Sequence, residues 1–282
     1  MNETLSATLK KLRLSGLAQT LEVRLHEAQS NHLTHAEFLE LVLQDEMLVR
    51  GDRQLARRIK AAGFRDLKTL EEFDWSFNQS IKKKEVFELA TGRFIRESRD
   101  VLLCGAPGTG KSHIVQALGY QLIKLGNLVL YRSIFDVVRD FLHDEAMEGH
   151  ERVMNRYLKP DLLIIDDFGM KQLPKRSGEF LFEIVMRRHE TRSTLMTTNR
   201  PLEDWGKLLG DVPTATAILD RFLHHSEIFT ITGNSYRLRD RGTGSKPAKA
   251  PTGSKKTEKG SKPTKAPIGS TAEKQEQKAS NP

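Results

Sequence analysis

Eight consecutive residues, Gly105, Ala106, Pro107, Gly108, Thr109, Gly110, Lys111 and Ser112, fit the pattern G-x-x-x-x-G-K-[ST], and each special position has a chemical use. Glycines leave room for backbone N–H groups to close around phosphate oxygens, and a helix that starts directly afterwards, near His113, adds its positive N-terminal end. Lys111 is placed to reach β and γ phosphates, and the Ser112 hydroxyl is a ligand suited to Mg2+. The pattern follows the apolar run 101–104 and precedes a helical stretch, so both halves of its required strand–loop–helix context are present.

About fifty residues further on, the apolar run 162–165 ends in Asp166 and Asp167. Ligands of open α/β sheets bind at such strand ends. Successive strand residues point to opposite faces, so while the strand persists the two acids have different jobs. Asp166 is expected to hold Mg2+ and Asp167 to orient or deprotonate an attacking water. A later apolar run ends in Thr197, Thr198 and Asn199, where the Asn199 amide can hydrogen-bond the water or the γ-phosphate without adding negative charge. Arg221, in AILDRFLHH, follows the helical spacing of Ile218, Leu219 and Phe222 and is available to act in trans on a neighbour's γ-phosphate.

The elements that must position these groups are legible. The runs DVLLCG, LVLYR, DLLIIDD, STLMTTN and EIFTIT alternate with helical stretches, which predicts an α/β fold with a parallel sheet covered on both faces. Residues 1 to about 97 read as helical. Thr34 and Glu37 form a capping-box signature ahead of an apolar repeat through Phe38, Leu41, Val42, Leu48, Leu55 and Ile59. Arg50, Arg53, Arg57 and Lys60 fall at i, i+3, i+7 and i+10 on that helix, one face of cations that could contact DNA phosphates. Such a face can equally be an ordinary solvated one.

Net charge is a poor guide to where nucleic acid would bind. The chain of 282 residues carries 45 Lys and Arg against 37 Asp and Glu, a net of +8. Nine of the lysines and three of the glutamates lie in residues 242–282, a Gly/Pro-rich stretch without aromatic residues that reads as disordered. A single cysteine, Cys104, excludes an internal disulfide framework and a thiolate zinc site and reads as a small strand residue. No run of eighteen apolar residues occurs and the N-terminus lacks an apolar signal region, so a cytoplasmic protein without a membrane span is expected.

GAPGTGKS, LLIIDDFG, TTNRP and ILDRF, in this order and spacing, resemble AAA+ ATPases of the DnaC and IstB branch, and within it the IstB-like helper ATPases of insertion-sequence transposition. The resemblance covers about residues 1–240. It implies a helical N-terminal DNA-binding or partner domain (1–66), an AAA+ P-loop ATPase core (67–241) and a separate tail (242–282). It further implies ATP and Mg2+ as cofactors, a homo-oligomer on duplex DNA, and a transposase as partner. The segment DWSFNQSIKKKEVFELATGRFI is similar to the one that packs near adenine in this branch. By the same resemblance residues 105–112 are Walker A, Asp166 and Asp167 Walker B, Asn199 sensor 1 and Arg221 the arginine finger. Arg237, in NSYRLRD, falls where a sensor or second inter-subunit arginine lies. Most AAA+ motors carry Glu where Asp167 stands, and the shorter side chain implies slow, switch-like hydrolysis. Little chain follows the last strand before the Gly/Pro-rich stretch, which favours a minimal core over members with large lid domains. A helicase loader of the DnaC kind is the alternative function.

Overall fold

The computed structural model describes residues 3–145, 149–174 and 176–241; the 242–282 segment lies outside the described residues. The five apolar runs form β1 (Asp100–Gly105), β2 (Val129–Ser133), β3 (Leu162–Phe168), β4 (Ser193–Thr198) and β5 (Ser226–Ile231). All pair in parallel, in the order β2-β3-β4-β1-β5. This is the predicted α/β architecture, a parallel sheet flanked by helices.

Residues alternate strictly between two cores, as the period-2 geometry of a strand requires. Leu102, Leu130, Leu163, Ile165 and Met196 enter one core, shared with α7 (Ile134–Glu145), α8 (His150–Leu158), α9 (Ser177–Arg188), α10 (Trp205–Leu209) and α11 (Val212–His224). Val101, Leu103, Val129, Tyr131, Leu162, Ile164 and Leu195 enter the other, against α4 (Lys83–Ala90), α5 (Arg93–Arg96) and α6 (Lys111–Lys124). Near-continuous apolar runs were needed because neither face meets water. Cys104 is half-buried on β1, and burial pushes its thiol pKa up, which keeps it unreactive.

The N-terminal helices are α1 (Glu3–Lys11), α2 (Ser15–Ser30) and α3 (His35–Ala62). The capping box forms: Thr34 N donates to Glu37 Oε2 at 2.8 Å and Glu37 N to Thr34 Oγ1 at 3.3 Å. The first half of α3 packs Phe38 and Val42 on Leu9, Leu17 and Leu21 of α1 and α2. Its second half packs Leu55, Ile59 and Ala62 into the core beside the sheet. One continuous helix therefore joins the two parts rigidly.

One expectation fails locally. Residues 63–82 are not helical but form an irregular strap. Gly63 ends α3 in the left-handed conformation. Asp74 and Asn78 then accept hydrogen bonds from the backbone N–H groups of Ser76 and Ser80, a local bonding mode that competes with helix.

Asp100, at the start of β1, accepts a 2.6 Å hydrogen bond from Thr194 N in a buried site, and burial pushes its carboxyl pKa up to about 7. Between pH ~4 and ~7 the folded chain holds a proton that the unfolded chain has released, so this site costs stability as pH rises through that window. The full cost is on the order of 4 kcal/mol. Asp100→Asn keeps an acceptor for Thr194 and removes the ionisation, so its thermal midpoint is expected several degrees above wild type at pH 8 and unchanged near pH 4.

Candidate functional site

A cleft of about 720 Å3 opens at the carboxyl ends of the strands, walled on one side by the strap. Because β4 lies between β1 and β3, the loop after β1, the acids near the end of β3 and the polar end of β4 converge there. Pro107, Gly108, Thr109, Gly110, Lys111, Ser112 and His113 line it together with Asp167, Thr197, Asn199 and Arg237.

The loop's backbone depends on its glycines. Gly108 (φ 81°) and Gly110 (φ 101°) are left-handed, a region open to glycine at little cost. A Cβ at Gly108 would overlap Ser235, and one at Gly110 would lie 2.9 Å from the Phe73 ring. Lys111 Nζ donates to the carbonyls of Gly105 and Ala106 at 2.7 and 2.8 Å, folded back on its own loop. Burial lowers its pKa, and the charges of Asp166 and Asp167 oppose that shift. His113 caps the junction with the strap: its Nε2 lies 3.0 Å from the Thr69 carbonyl and its ring meets Phe73 edge-on.

The two acids are separated as strand alternation requires. Asp166 is fully buried; one carboxylate oxygen accepts from the Tyr131 hydroxyl at 2.6 Å, the other from Thr197 Oγ1 and Asp167 N. At Asp167 the strand breaks. Its φ is 63° and the β3–β4 register shifts between Ile165 and Phe168, so its side chain turns into the cleft, where Arg65 Nη1 contacts Oδ2 at 2.7 Å. Asp167 faces the cleft directly, whereas Asp166 lies beneath it and does not line the wall.

Asn199 stands on the wall opposite the loop. In the amide orientation that satisfies its neighbours, its nitrogen donates to the carbonyls of Gly169 at 3.0 Å and Phe168 at 3.2 Å. Arg237 belongs to the turn of 3-10 helix Tyr236–Arg241, which is docked on the glycine-rich loop after β1 through Tyr236 N donating to Gly108 O at 2.9 Å. Arg221 is not brought to the cleft. It sits exposed on α11, whose Ala215, Ile218 and Phe222 are buried on the other side, and it makes no hydrogen bond or ion pair among the described residues. The basic stripe is exposed but divided. Arg50 is paired with Glu46 at 2.7 Å and reaches Arg13 O, and Arg53 donates to Ser15 Oγ. Arg57 and Lys60 have no such partner among the described residues.

Several cleft residues had only weak sequence signals. Arg65 lies just beyond the basic stripe of α3, and nothing local showed that it reaches Asp167. Its backbone N–H and that of Asp66 both donate to Gln116 Oε1 on α6 at 3.0 Å, which fixes the end of α3 to the helix carrying Lys111. Phe73 came from the strap read as helix, its aromatic ring the available clue, whereas Phe77 and Asn78 lie in the segment DWSFNQSIKKKEVFELATGRFI that the resemblance places near adenine.

A profile of the IstB-like ATP binding proteins matches residues 7–244. The chain belongs to that family. This IstB-like chain is 35% identical over 237 residues to the IS21 insertion-sequence ATP-binding protein of Pseudomonas aeruginosa, covering 84% of this chain and 89% of the relative. It is 31% identical over 241 residues to the IS5376 ATP-binding protein of Geobacillus stearothermophilus, covering 86% and 96%. Among solved structures, AMPPCP-bound DnaA from Aquifex aeolicus matches with a TM-score of 0.49 and 21% identity over 60% of this chain and 51% of that one.

The contents of this IstB-like cleft fit a nucleotide. Asn78 is buried, and its Nδ2 has no hydrogen-bond partner among the described residues, a donor that a base or ribose acceptor would satisfy at the strap side. At the other end the Ser112 hydroxyl and the Asp167 carboxylate, with Asp166 buried just beneath, form the kind of hard oxygen set that suits Mg2+. Among the described residues no helix is long and apolar enough to cross a membrane.

Proposed function

We propose that this IstB-like protein is a Mg2+-dependent ATP hydrolase that assembles on duplex DNA and assists transposition by presenting target DNA to a transposase. The observation that carries the reading is the convergence of Lys111, Asp167, Asn199 and Arg237 on one cleft, in a chain whose relatives are insertion-sequence ATP-binding proteins.

Lys111 exchanges the carbonyls of Gly105 and Ala106 for phosphate oxygens. Loop backbone N–H groups from Gly108 to Ser112 bind the same phosphates, and Phe73, Phe77 and Asn78 hold the base end. Ser112 and Asp166 would hold Mg2+, which neutralises phosphate charge as it develops. Asp167 accepts a proton from water that Asn199 orients, and Arg237 adds positive charge in the same subunit. Arg221, absent from its own cleft, serves the neighbouring subunit's phosphate. Arg57 and Lys60, with Arg50 and Arg53 once released from their present partners, supply contacts to DNA phosphates.

Asp167 cannot act as a base while Arg65 holds it, so turnover is slow in this arrangement. Arg65→Ala is expected to raise basal hydrolysis several-fold with ATP affinity unchanged. A fall in turnover would assign Arg65 to phosphate instead.

The whole reading is tested by electron microscopy of the protein with duplex DNA and a non-hydrolysable ATP analogue. Ordered rings or filaments around DNA are expected. Persistent monomers off DNA would reject it, and retention of a replicative helicase in their place would favour a loader.

A further inference from the structure

The edge of the sheet opposite the nucleotide cleft carries a second cluster of chemically capable side chains. His189 follows α9, Glu190 is next to it, and His224 and His225 end α11 just before β5. Glu190 Oε1 lies 3.6 Å from His189 Nε2 and 3.0 Å from His225 Nε2. Potential ligand atoms of His189, Glu190 and His224 all lie within 4.8 Å of one another. The rings of His224 and His225 are 4.1 Å apart, and that of His189 is 5.9 Å from each.

We propose that His189, Glu190 and His224 form a binding site for a divalent transition metal of the Zn2+ class, with His225 hydrogen-bonded to the ligating Glu190. Two imidazoles and one carboxylate form a ligand set of known zinc type, and ligands about 2.0–2.1 Å from a tetrahedral ion are roughly 3.3 Å from one another. The His189–Glu190 spacing is already close to that figure, so rotation of the exposed His224 ring is the main adjustment. Nitrogen ligands select against Mg2+, which takes oxygen. The site is therefore chemically distinct from the phosphate cleft.

The two ligand-bearing segments are held in place before any ion arrives. Arg188, buried at the end of α9, donates to the carbonyls of Tyr157 and Pro160 at 2.9 Å and to Thr194 Oγ1 at 3.1 Å. His189 N remains bonded to Val185 O at 2.9 Å. On the other side, His225 O accepts from Asp100 N at 3.1 Å, tying the end of α11 to the start of β1. Glu190 adopts φ 58°, a left-handed conformation that is uncommon for residues with a Cβ, and the anchored neighbours sustain it. A bound ion would brace the α9–β4 connection against the end of α11, the helix on which Arg221 lies one turn earlier.

The test uses the full chain without an affinity tag. Co2+ and Zn2+ titrations at pH 7.5, with Mg2+ as comparison, are expected to show one tightly held Co2+ or Zn2+ per chain, with visible Co2+ bands of a low-coordinate site, and a higher thermal midpoint with Zn2+. Glu190→Gln and His224→Ala should each abolish the Co2+ bands, and His225→Ala should weaken binding about 10- to 100-fold through loss of a partner to the ligand. Melting curves of each variant without metal establish that it is folded. Absence of stoichiometric uptake by the wild type, or uptake and bands that survive both Glu190→Gln and His224→Ala, would overturn the assignment. Because the readout needs neither ATP nor DNA, its failure leaves the proposed function untouched, and failure of that function leaves this site standing.

Discussion

Lys111→Ala is expected to weaken ATP binding by at least about 100-fold while leaving the fold intact. The lysine is the one cation built into the loop, and charge-assisted hydrogen bonds to phosphate oxygens contribute roughly 3 kcal/mol, a factor of about 100 in affinity. Its present bonds are to the carbonyls of Gly105 and Ala106, and burial already disfavours its charged form. Removing the ammonium therefore costs the unliganded protein little. Calorimetric titration with ATP and Mg2+, alongside melting curves without nucleotide, separates the two effects. A loss of affinity below tenfold with an unchanged melting midpoint would mean that triphosphate does not bind on this loop.

Arg221→Ala is expected to leave ATP affinity unchanged and to lower hydrolysis about 1,000-fold, the size associated with an arginine supplied from outside the phosphate-binding subunit. The substitution does not touch the core, because Ala215, Ile218 and Phe222 carry the buried face of α11. The discriminating measurement is complementation. Asp167→Asn alone should also be nearly inactive, and mixing it with Arg221→Ala should recover part of the activity, since a mixed interface can place an intact Arg221 beside an intact Asp167. No recovery, with assembly of the mixture verified, would remove the trans role. Loss of ATP binding by Arg221→Ala alone would make the residue structural.

The cleft was legible in unequal measure. The loop after β1 could be read from the chain because its shape needs contiguous residues: the glycines that bend it, Lys111 and Ser112 are neighbours. The inner strands were legible because a parallel sheet buried on both faces favours near-continuous apolar runs, whereas β5, at the sheet edge, is only partly buried and mixes Glu227 and Thr230 into its run. The strap 63–82 was misread as helix because Asp74 and Asn78 redirect the backbone through local hydrogen bonds, while Phe73 and Trp75 find their partners His113 and Phe87 only once α6 and α4 are in place. The stripe on α3 was correct as spacing, yet Arg50 and Arg53 find partners on Glu46, Arg13 and Ser15, the last two brought by folding from the α1–α2 connection and the start of α2.

By itself the sequence determined the glycine-bent loop after β1, the alternation of strand and helix, the two acids at one strand end and the division of charge along the chain. These are local properties, set by the backbone needs of glycine, the period of side chains along a strand and the composition of a segment. Only the tertiary structure decided which acid faces the cleft, that Arg65 grips it, that Arg237 enters while Arg221 stays outside, and that three histidines meet Glu190 at the far edge of the sheet. Each of those depends on groups tens of residues apart brought together by strand order and by a register shift at Asp167, and no local pattern encodes either.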